Sequence, residues 1–199
     1  MTSLNARLQC TDILMWPAPI RSLAFAVPWL SVPLDITTDT IALKSDDLPE
    51  MVPFDLFPKL AIKSWQESGR LRMIPAEVPL RPMLEARLAS PTVQQRAVLN
   101  GWSDAEVPPH LHLFAWRDMS QISEMRCSWS RGRASVTSTL TRNGLNTSGL
   151  DFRPVMTSIA ELMPALDSFV AQFAVGPNGE VKIVDINPQL TADEIAQLT

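Results

Sequence analysis

Two apolar, β-branched runs near the C-terminus, Ser168–Val175 and Val181–Pro188, meet across Gly176-Pro177-Asn178-Gly179. Asn-Gly between such runs predicts a β-hairpin, because the turn needs residues that tolerate positive φ. Strand side chains alternate, so Asp185 and Asn187 are expected on one face, with Val184 and Ile186 on the other. Upstream, Leu111–Trp116, Glu124–Ser130 and Ala134–Leu140 read as three antiparallel strands, the last two joined tightly through Arg131-Gly132-Arg133. Thr141–Gly149, rich in Thr, Asn, Ser and Gly, reads as a loop. Ser158–Leu166 has helical spacing, with Ile159, Leu162, Met163 and Leu166 on one face. Thr191 and Glu194 are spaced as a capping box opening a last short helix.

The first half is more broken. Ile13–Trp16 and Leu23–Val27 are candidate buried strands bounded by Pro17, Pro19 and Pro28. Residues 37 to 50 are polar and read as a connection, and Arg72-Met73-Ile74 reads as a short strand. Asp55–Gln66 fits either a short helix from Phe57 or a strand through Lys59-Leu60-Ala61-Ile62. Val78–Pro82 is expected to be extended, since each proline biases the residue before it away from helix. Met83–Arg87 and Thr92–Leu99 are helix-compatible, the second ending at Asn100-Gly101.

Composition narrows the class. A chain of 199 residues, 46% of them hydrophobic, is long enough for one domain with a real core. Its 17 prolines, mostly before residue 110, favour short extended segments there over long helices. A net charge of −4 provides no basic stripe for nucleic acid, so none is expected as a partner. Only Cys10 and Cys127 are present, too few for a disulfide framework or a zinc site, which points to a reducing, cytoplasmic setting. The apolar stretch Ser22–Leu34 holds Pro28 and Pro33 and is too short to span a bilayer, so no membrane association is expected.

Several residues have site chemistry. Asp185 and Asn187, at a strand end stiffened by Pro188, are hard oxygen ligands suited to magnesium held with nucleotide phosphates, or the start of an ordinary turn. Glu124 and Arg126 share a strand face, and an arginine braced by a neighbouring glutamate offers a donor fork that matches phosphate. A cross-strand ion pair is the plainer alternative. The cluster Arg126, Arg131, Arg133 and Arg142 suits either a small anion or solvent. Cys127 faces the apolar side and has no base beside it, which argues against a nucleophile. His110 and His112 form a His-x-His pair without a third ligand at convincing spacing.

Three blocks, in order, resemble one known family. Phe57-Pro58-Lys59-Leu60, Leu113-Phe114-Ala115-Trp116 with Glu124-Met125-Arg126-Cys127, and the strand ending Asp185-Ile186-Asn187-Pro188 resemble motifs of the cell division cycle protein 123 family, a branch of the ATP-grasp proteins. The resemblance implies an α/β (mixed α+β), ATP-grasp-like fold with an abbreviated N-terminal lobe and an antiparallel C-terminal sheet. Residues 1–199 would form a single domain, with lobes of about 1–105 and 106–199 and a nucleotide between them.

The resemblance also favours the strand reading at Lys59 and implies the cofactors ATP and Mg²⁺. Lys59, Arg81, Glu124 and Arg126 would serve the nucleotide, and Asp185, Asn187 and Gln172 the metal. Arg81 lies roughly where the family has a second nucleotide-facing lysine. The chemistry implied, if any persists, is ATP-dependent carboxylate–amine ligation, with no catalytic residue assigned. Two positions depart from the pattern: Phe114 stands where an arginine is expected, and Gln172 where an aspartate is. Each lost stabilising group can cost about 3–4 kcal/mol of catalysis, so weakened or lost ligation is expected. The alternatives are an assembly chaperone, which for this family implies initiation factor 2 as protein partner, or a structural interaction protein with a decayed nucleotide site. A shared site further requires Arg126 and Asp185 to face one cleft between adjacent strands, with Cys127 and Ile186 buried behind them.

Overall fold

The computed structural model of the chain describes residues 3–37, 40–60, 73–89, 102, 107–142 and 149–198. The expected helix over 92–99, its Asn100-Gly101 stop, and positions 61, 62, 72 and 143–148 lie outside the described residues. The chain divides into two compact units, each made of discontinuous segments: residues 1–27 with 117–189, and residues 28–116 with 190–199.

The first unit begins with α1 (Leu4–Gln9), a 3-10 turn (Ile13–Met15) and α2 (Ala18–Arg21). The 3-10 turn corrects the expectation of a strand at Ile13–Trp16. Asp12 caps it by accepting from the Leu14 amide at 2.9 Å, and Pro17 then starts α2. Ile13, Trp16 and Ile20 are still buried, so the hydrophobic reading holds while the period does not. Leu23–Val27 is likewise not a full strand. Only Ala24 forms a bridge, parallel to Ile183, before Pro28 ends the extended run.

In the second unit, β1 (Leu30–Ile36), β2 (Ile41–Leu43), β3 (Leu56–Leu60) and β4 (His110–Ala115) form an antiparallel sheet of order β2-β1-β4-β3. The stretch expected to be a plain connection over 37–50 thus contains β2. The run through Lys59 is a strand, with Ile74 bridged to its outer edge at Leu56. Val32, Leu34, Leu56, Leu60, Leu111 and Leu113 point to one side, where Leu80, Leu84 and Leu88 of α3 (Leu80–Leu88) complete the core. That helix corrects the extended reading of Val78–Pro82. Pro79 stands at its N-cap position without a capping hydrogen bond, and Pro82 falls in its first turn, where a missing N–H costs no intrahelical bond.

Returning to the first unit, β5 (Ser123–Ser130), β6 (Arg133–Leu140), β7 (Ser168–Val175) and β8 (Val181–Pro188) form a second antiparallel sheet, ordered β6-β5-β7-β8. The three strands expected over Leu111–Leu140 are therefore split between two sheets: β4 pairs with β1 and β3, not with β5. Arg131 and Gly132 take φ of 52° and 72° in the β5–β6 turn, and Gly179 takes 77° in the β7–β8 turn.

Behind this sheet lies α4 (Arg153–Leu162), which starts five residues before the expected Ser158. Its Met156 and Ile159 are buried with Phe169, Phe173 and Ile186, while Leu162 is 43% exposed rather than part of the apolar face. Met163 and Leu166 are buried just beyond the helix end. Arg7 of α1 donates to the Gln189 carbonyl at 2.7 Å, joining the start of this unit to its end. The last helix, α5 (Ala192–Leu198), belongs to the second unit and has its capping box formed: the Thr191 amide donates to Glu194 Oε2 at 2.8 Å, and the Glu194 amide to Thr191 Oγ1 at 3.3 Å.

Candidate functional site

Residues directly opposite one another in an antiparallel sheet project to the same side. Arg126 of β5 lies opposite Gln172 of β7, and Gln172 lies opposite Asp185 of β8. The three therefore form one row across the outer face of the sheet. In neighbouring rows of that face stand Glu124, opposite Ala174, and Asn187, opposite Val170. The inner face shows the complementary row, Cys127, Ala171 and Ile186, all buried. Arg126 and Asp185 thus share a face, with Cys127 and Ile186 behind it. The expectation of adjacent strands needs correction, however: β7 intervenes, and their backbones lie roughly 10 Å apart at the usual strand spacing.

Strict alternation also fails once in β8. Phe173 pairs with Ile183 and Gln172 with Asp185, so Val184 is an extra residue in a β-bulge. Ile183 and Ile186 therefore both reach the core, and Val184, expected there, is only half-buried.

Hydrogen bonds fix the face. The Gln172 amide donates to Glu124 Oε2 at 2.7 Å, and Arg142 approaches Glu124 Oε1 at 3.5 Å while its own backbone N–H donates to Ser123 Oγ at 3.0 Å. Glu124 consequently does not brace Arg126, as the spacing had suggested. It is held between Arg142 and Gln172, and Arg126 is exposed with no ion pair among the described residues. On the other side of the row, Asp185 accepts from the Ile186 amide at 3.1 Å through Oδ1 and from Asn187 Nδ2 at 2.8 Å through Oδ2. With their N–H groups spent on carboxylates, the Gln172 and Asn187 amides have their oxygens turned elsewhere. Arg142 is the residue whose part in this network sequence pattern did not show. It had only been grouped with the hairpin arginines, because its contact with Glu124 depends on where the chain lies after β6.

The remaining named residues lie in the other unit. Lys59 of β3 stands opposite His112, which also faces Ser31; His112 Nδ1 and Ser31 Oγ are 2.9 Å apart. His110 and His112 stack with ring centroids 5.8 Å apart. Phe114, where an arginine had been expected, stands opposite Phe57 in the register, and its ring meets His112 with centroids 6.2 Å apart. Arg81 donates to the Ser45 carbonyl at 2.6 Å and pairs with Glu85 and Asp46 at 3.5 and 3.8 Å, tying α3 to the segment after β2.

Burial pushes the Cys127 thiol up to about 11 and raises the Cys10 thiol as well, so neither is poised as a thiolate nucleophile. Two short hydrogen-bonding contacts from Ser120, one from its amide and one from its hydroxyl, hold Asp118 below the usual carboxylate range. Among the described residues no group of three or more His, Cys, Asp or Glu is placed to hold a metal ion, and no helix is long and apolar enough to cross a membrane.

No protein-family model matches the chain, and no curated protein sequence matches it significantly. Among solved structures, the chain is similar to Cdc123 from Schizosaccharomyces pombe, with a TM-score of 0.51 and 17% identity over 94% of this chain and 87% of that one. A C-terminally truncated Cdc123 from the same organism gives a TM-score of 0.41 and 16% identity over 67% of this chain and 60% of that one. At such identity the first likeness speaks to fold alone: a mixed α and β chain with two antiparallel sheets, similar to Cdc123.

Proposed function

We propose that the chain binds ATP–Mg²⁺ on the outer face of the β6-β5-β7-β8 sheet, in an ATP-grasp-like manner, with carboxylate–amine ligation weakened or lost. The observation that carries this reading is the row Arg126–Gln172–Asp185: an exposed guanidinium with no ion pair among the described residues at one end, a carboxylate at the other, and an amide between them oriented by Glu124. Arg126 would meet phosphate oxygens. Asp185, with the amide oxygens of Asn187 and Gln172, is a hard oxygen set that fits magnesium. Glu124 is already engaged by Arg142, so this set contributes one formal charge. That is too little for a dedicated cation cage, and it suits an ion that arrives with phosphates completing its shell. Lys59 and Arg81 belong to the other unit and take no part in this site as proposed; Arg81 serves a structural role there.

Lost ligation is supported by Phe114 and Gln172, which supply neither the cation nor the anion that the family pattern has there. The companion reading, a partner-binding protein that keeps nucleotide as a structural ligand, differs from it in turnover alone.

A thermal-shift titration tests the proposal. ATP with Mg²⁺ should raise the melting temperature, since ligand at 100 times its Kd adds about 2.7 kcal/mol. Mg²⁺ alone should not, and Asp185→Asn should remove the shift while circular dichroism shows the fold retained. Absence of any shift with ATP–Mg²⁺ would overturn the reading. Phosphate release by the wild-type chain that is lost in Asp185→Asn would return it to the enzymes.

A further inference from the structure

Each of the two sheets has two edges, and three of the four are managed. The outer edge of β8 is covered by the segment after α2, with the Phe25 amide donating to the Ile183 carbonyl at 2.7 Å and the Ile183 amide to the Leu23 carbonyl at 2.8 Å. The outer edge of β3 exchanges both bonds between Leu56 and Ile74, at 2.8 and 2.7 Å. At the far side of that sheet β2 is only three residues long. The remaining edge, β6, is eight residues long, pairs with no strand but β5 among the described residues, and is exposed from Ser135 through Leu140.

Natural edge strands are normally blunted by charge, proline, shortness or a bulge. From Ala134 to Thr141 there is no charged residue and no proline, and the strand is long. The one device present is a bulge at Thr137, whose hydroxyl donates back to the Arg126 carbonyl at 3.1 Å. Val136 is 52% exposed and Leu140 49%, apolar side chains left at an open edge.

From these observations we propose that β6 pairs antiparallel with β6 of a second copy of this chain, continuing the sheet across a two-fold axis. Pairing with β5 sets which side each residue takes: Arg133, Ser135, Ser138 and Leu140 lie on the outer face, and Ala134, Val136 and Thr139 on the core face. A two-fold pairing that keeps faces matched sets Ser135 opposite Ser138, Ala134 opposite Thr139 and Arg133 opposite Leu140. Hydroxyls then meet hydroxyls and the Arg133 stem meets an aliphatic side chain, with no charge directly opposite a like charge within the strand. The two bulges meet at the centre, with Val136 opposite Thr137, so the kink is shared rather than clashing. Beyond the strand ends Arg131 would approach Arg142, whose charge Glu124 already offsets. A seam of two strands buries less than the about 1,200 Å² at the low end of stable interfaces, so the association is weak and concentration-dependent.

Sedimentation velocity of the intact chain, from dilute to near-millimolar protein, reads this directly. Wild type should shift from monomer toward dimer with concentration. Ser135→Lys combined with Ser138→Lys sets ammonium groups opposite each other and should remain monomeric, whereas Ser135→Glu with Ser138→Lys should dimerise at least as well as wild type. Should the lysine pair fail to fold by circular dichroism, Ser135→Cys with Ser138→Cys in a Cys10→Ser background decides the matter, because oxidation should yield a disulfide-linked dimer joined between positions 135 and 138. A monomer at every concentration, or a dimer indifferent to both charge pairs and without the 135–138 link, overturns the proposal.

Discussion

Gln172 occupies the middle of the outer-face row and gives its amide hydrogen to Glu124, so an acid at that position would lose more than a metal ligand. Gln172→Glu keeps the side-chain length but brings two carboxylates within hydrogen-bonding distance. The expected cost is about 1–3 kcal/mol near neutral pH, the price of an unsatisfied buried or half-buried group. The repulsion raises the folded pKa of the pair, so stability is present while a proton is shared and falls as pH rises through that raised value. Urea unfolding should therefore show a deficit at neutral pH that closes in mild acid. An equal deficit at both would mean the two side chains do not meet.

Cys127 makes a similar argument in the alkaline range. Its folded thiol is pushed up from 9.0 to about 11, so the unfolded thiol ionises first, and stability is lost from about pH 9 upward through the folded value. Relative to Cys127→Ala, wild type should lose on the order of 2 kcal/mol between those limits, while a parallel pH dependence in both proteins would discount the thiol. The faces of Asp185, Asn187, Cys127 and Ile186 were readable from alternation because β5 keeps its register with β7 and β8 is regular from Asp185 onward, past the bulge at Val184. The partner of Glu124 was not, since nothing in the spacing of Glu124 and Arg126 reveals that Arg142 returns to the same carboxylate.

Local backbone chemistry made the hairpins legible and the proline-rich half less so. Gly179 and Gly132 sit at φ of 77° and 72°, where the turn between two strands demands what glycine tolerates. Nothing lies within 4 Å of a Cβ added at Gly179, so Gly179→Ala tests conformation without steric conflict. It should cost about 1–2 kcal/mol in equilibrium unfolding, and a neutral result would show that the turn can relax to another geometry. Elsewhere, prolines had two opposite meanings that spacing does not separate. At Pro17 and Pro28 they limit extended runs to a 3-10 turn and a single bridge, whereas Pro82 is accommodated within the first turn of α3. The bulge at Val184 is illegible for another reason: Ile183 and Ile186 are both apolar, and only the register against β7 shows that both face the core.

The whole molecule is organised by segments far apart in sequence. Hydrophobic content foretold a core, yet the buried residues form two clusters, one in each unit, and neither unit is a continuous stretch of chain. Ordered motifs pointed toward a Cdc123-like arrangement because they sit on β3, β4, β5 and β8, the strands that build both sheets. The use of residues 1–27 to complete the sheet of residues 117–189 left no local trace, because bridges such as Ala24 with Ile183 are set by tertiary placement alone. Removing the first 27 residues should strip the buried Ile13, Trp16 and Ile20 from that core, along with the cover on β8. The truncated chain should lose cooperative unfolding in the 117–189 unit by hydrogen exchange, and retained protection of β7 and β8 amides would argue against this dependence.

The bridge between Ala24 and Ile183 also sets an order of events during synthesis. Residues 1–27 leave the ribosome well before the strand they cover, which is made some 160 residues later, and Arg7 must wait still longer for the Gln189 carbonyl. Until β8 is made, that segment, with Trp16 and Ile20 still uncovered, has no finished surface to join. A chain interrupted before β8 is therefore not a smaller version of this fold but one whose residues 1–27 are left without the strand they cover.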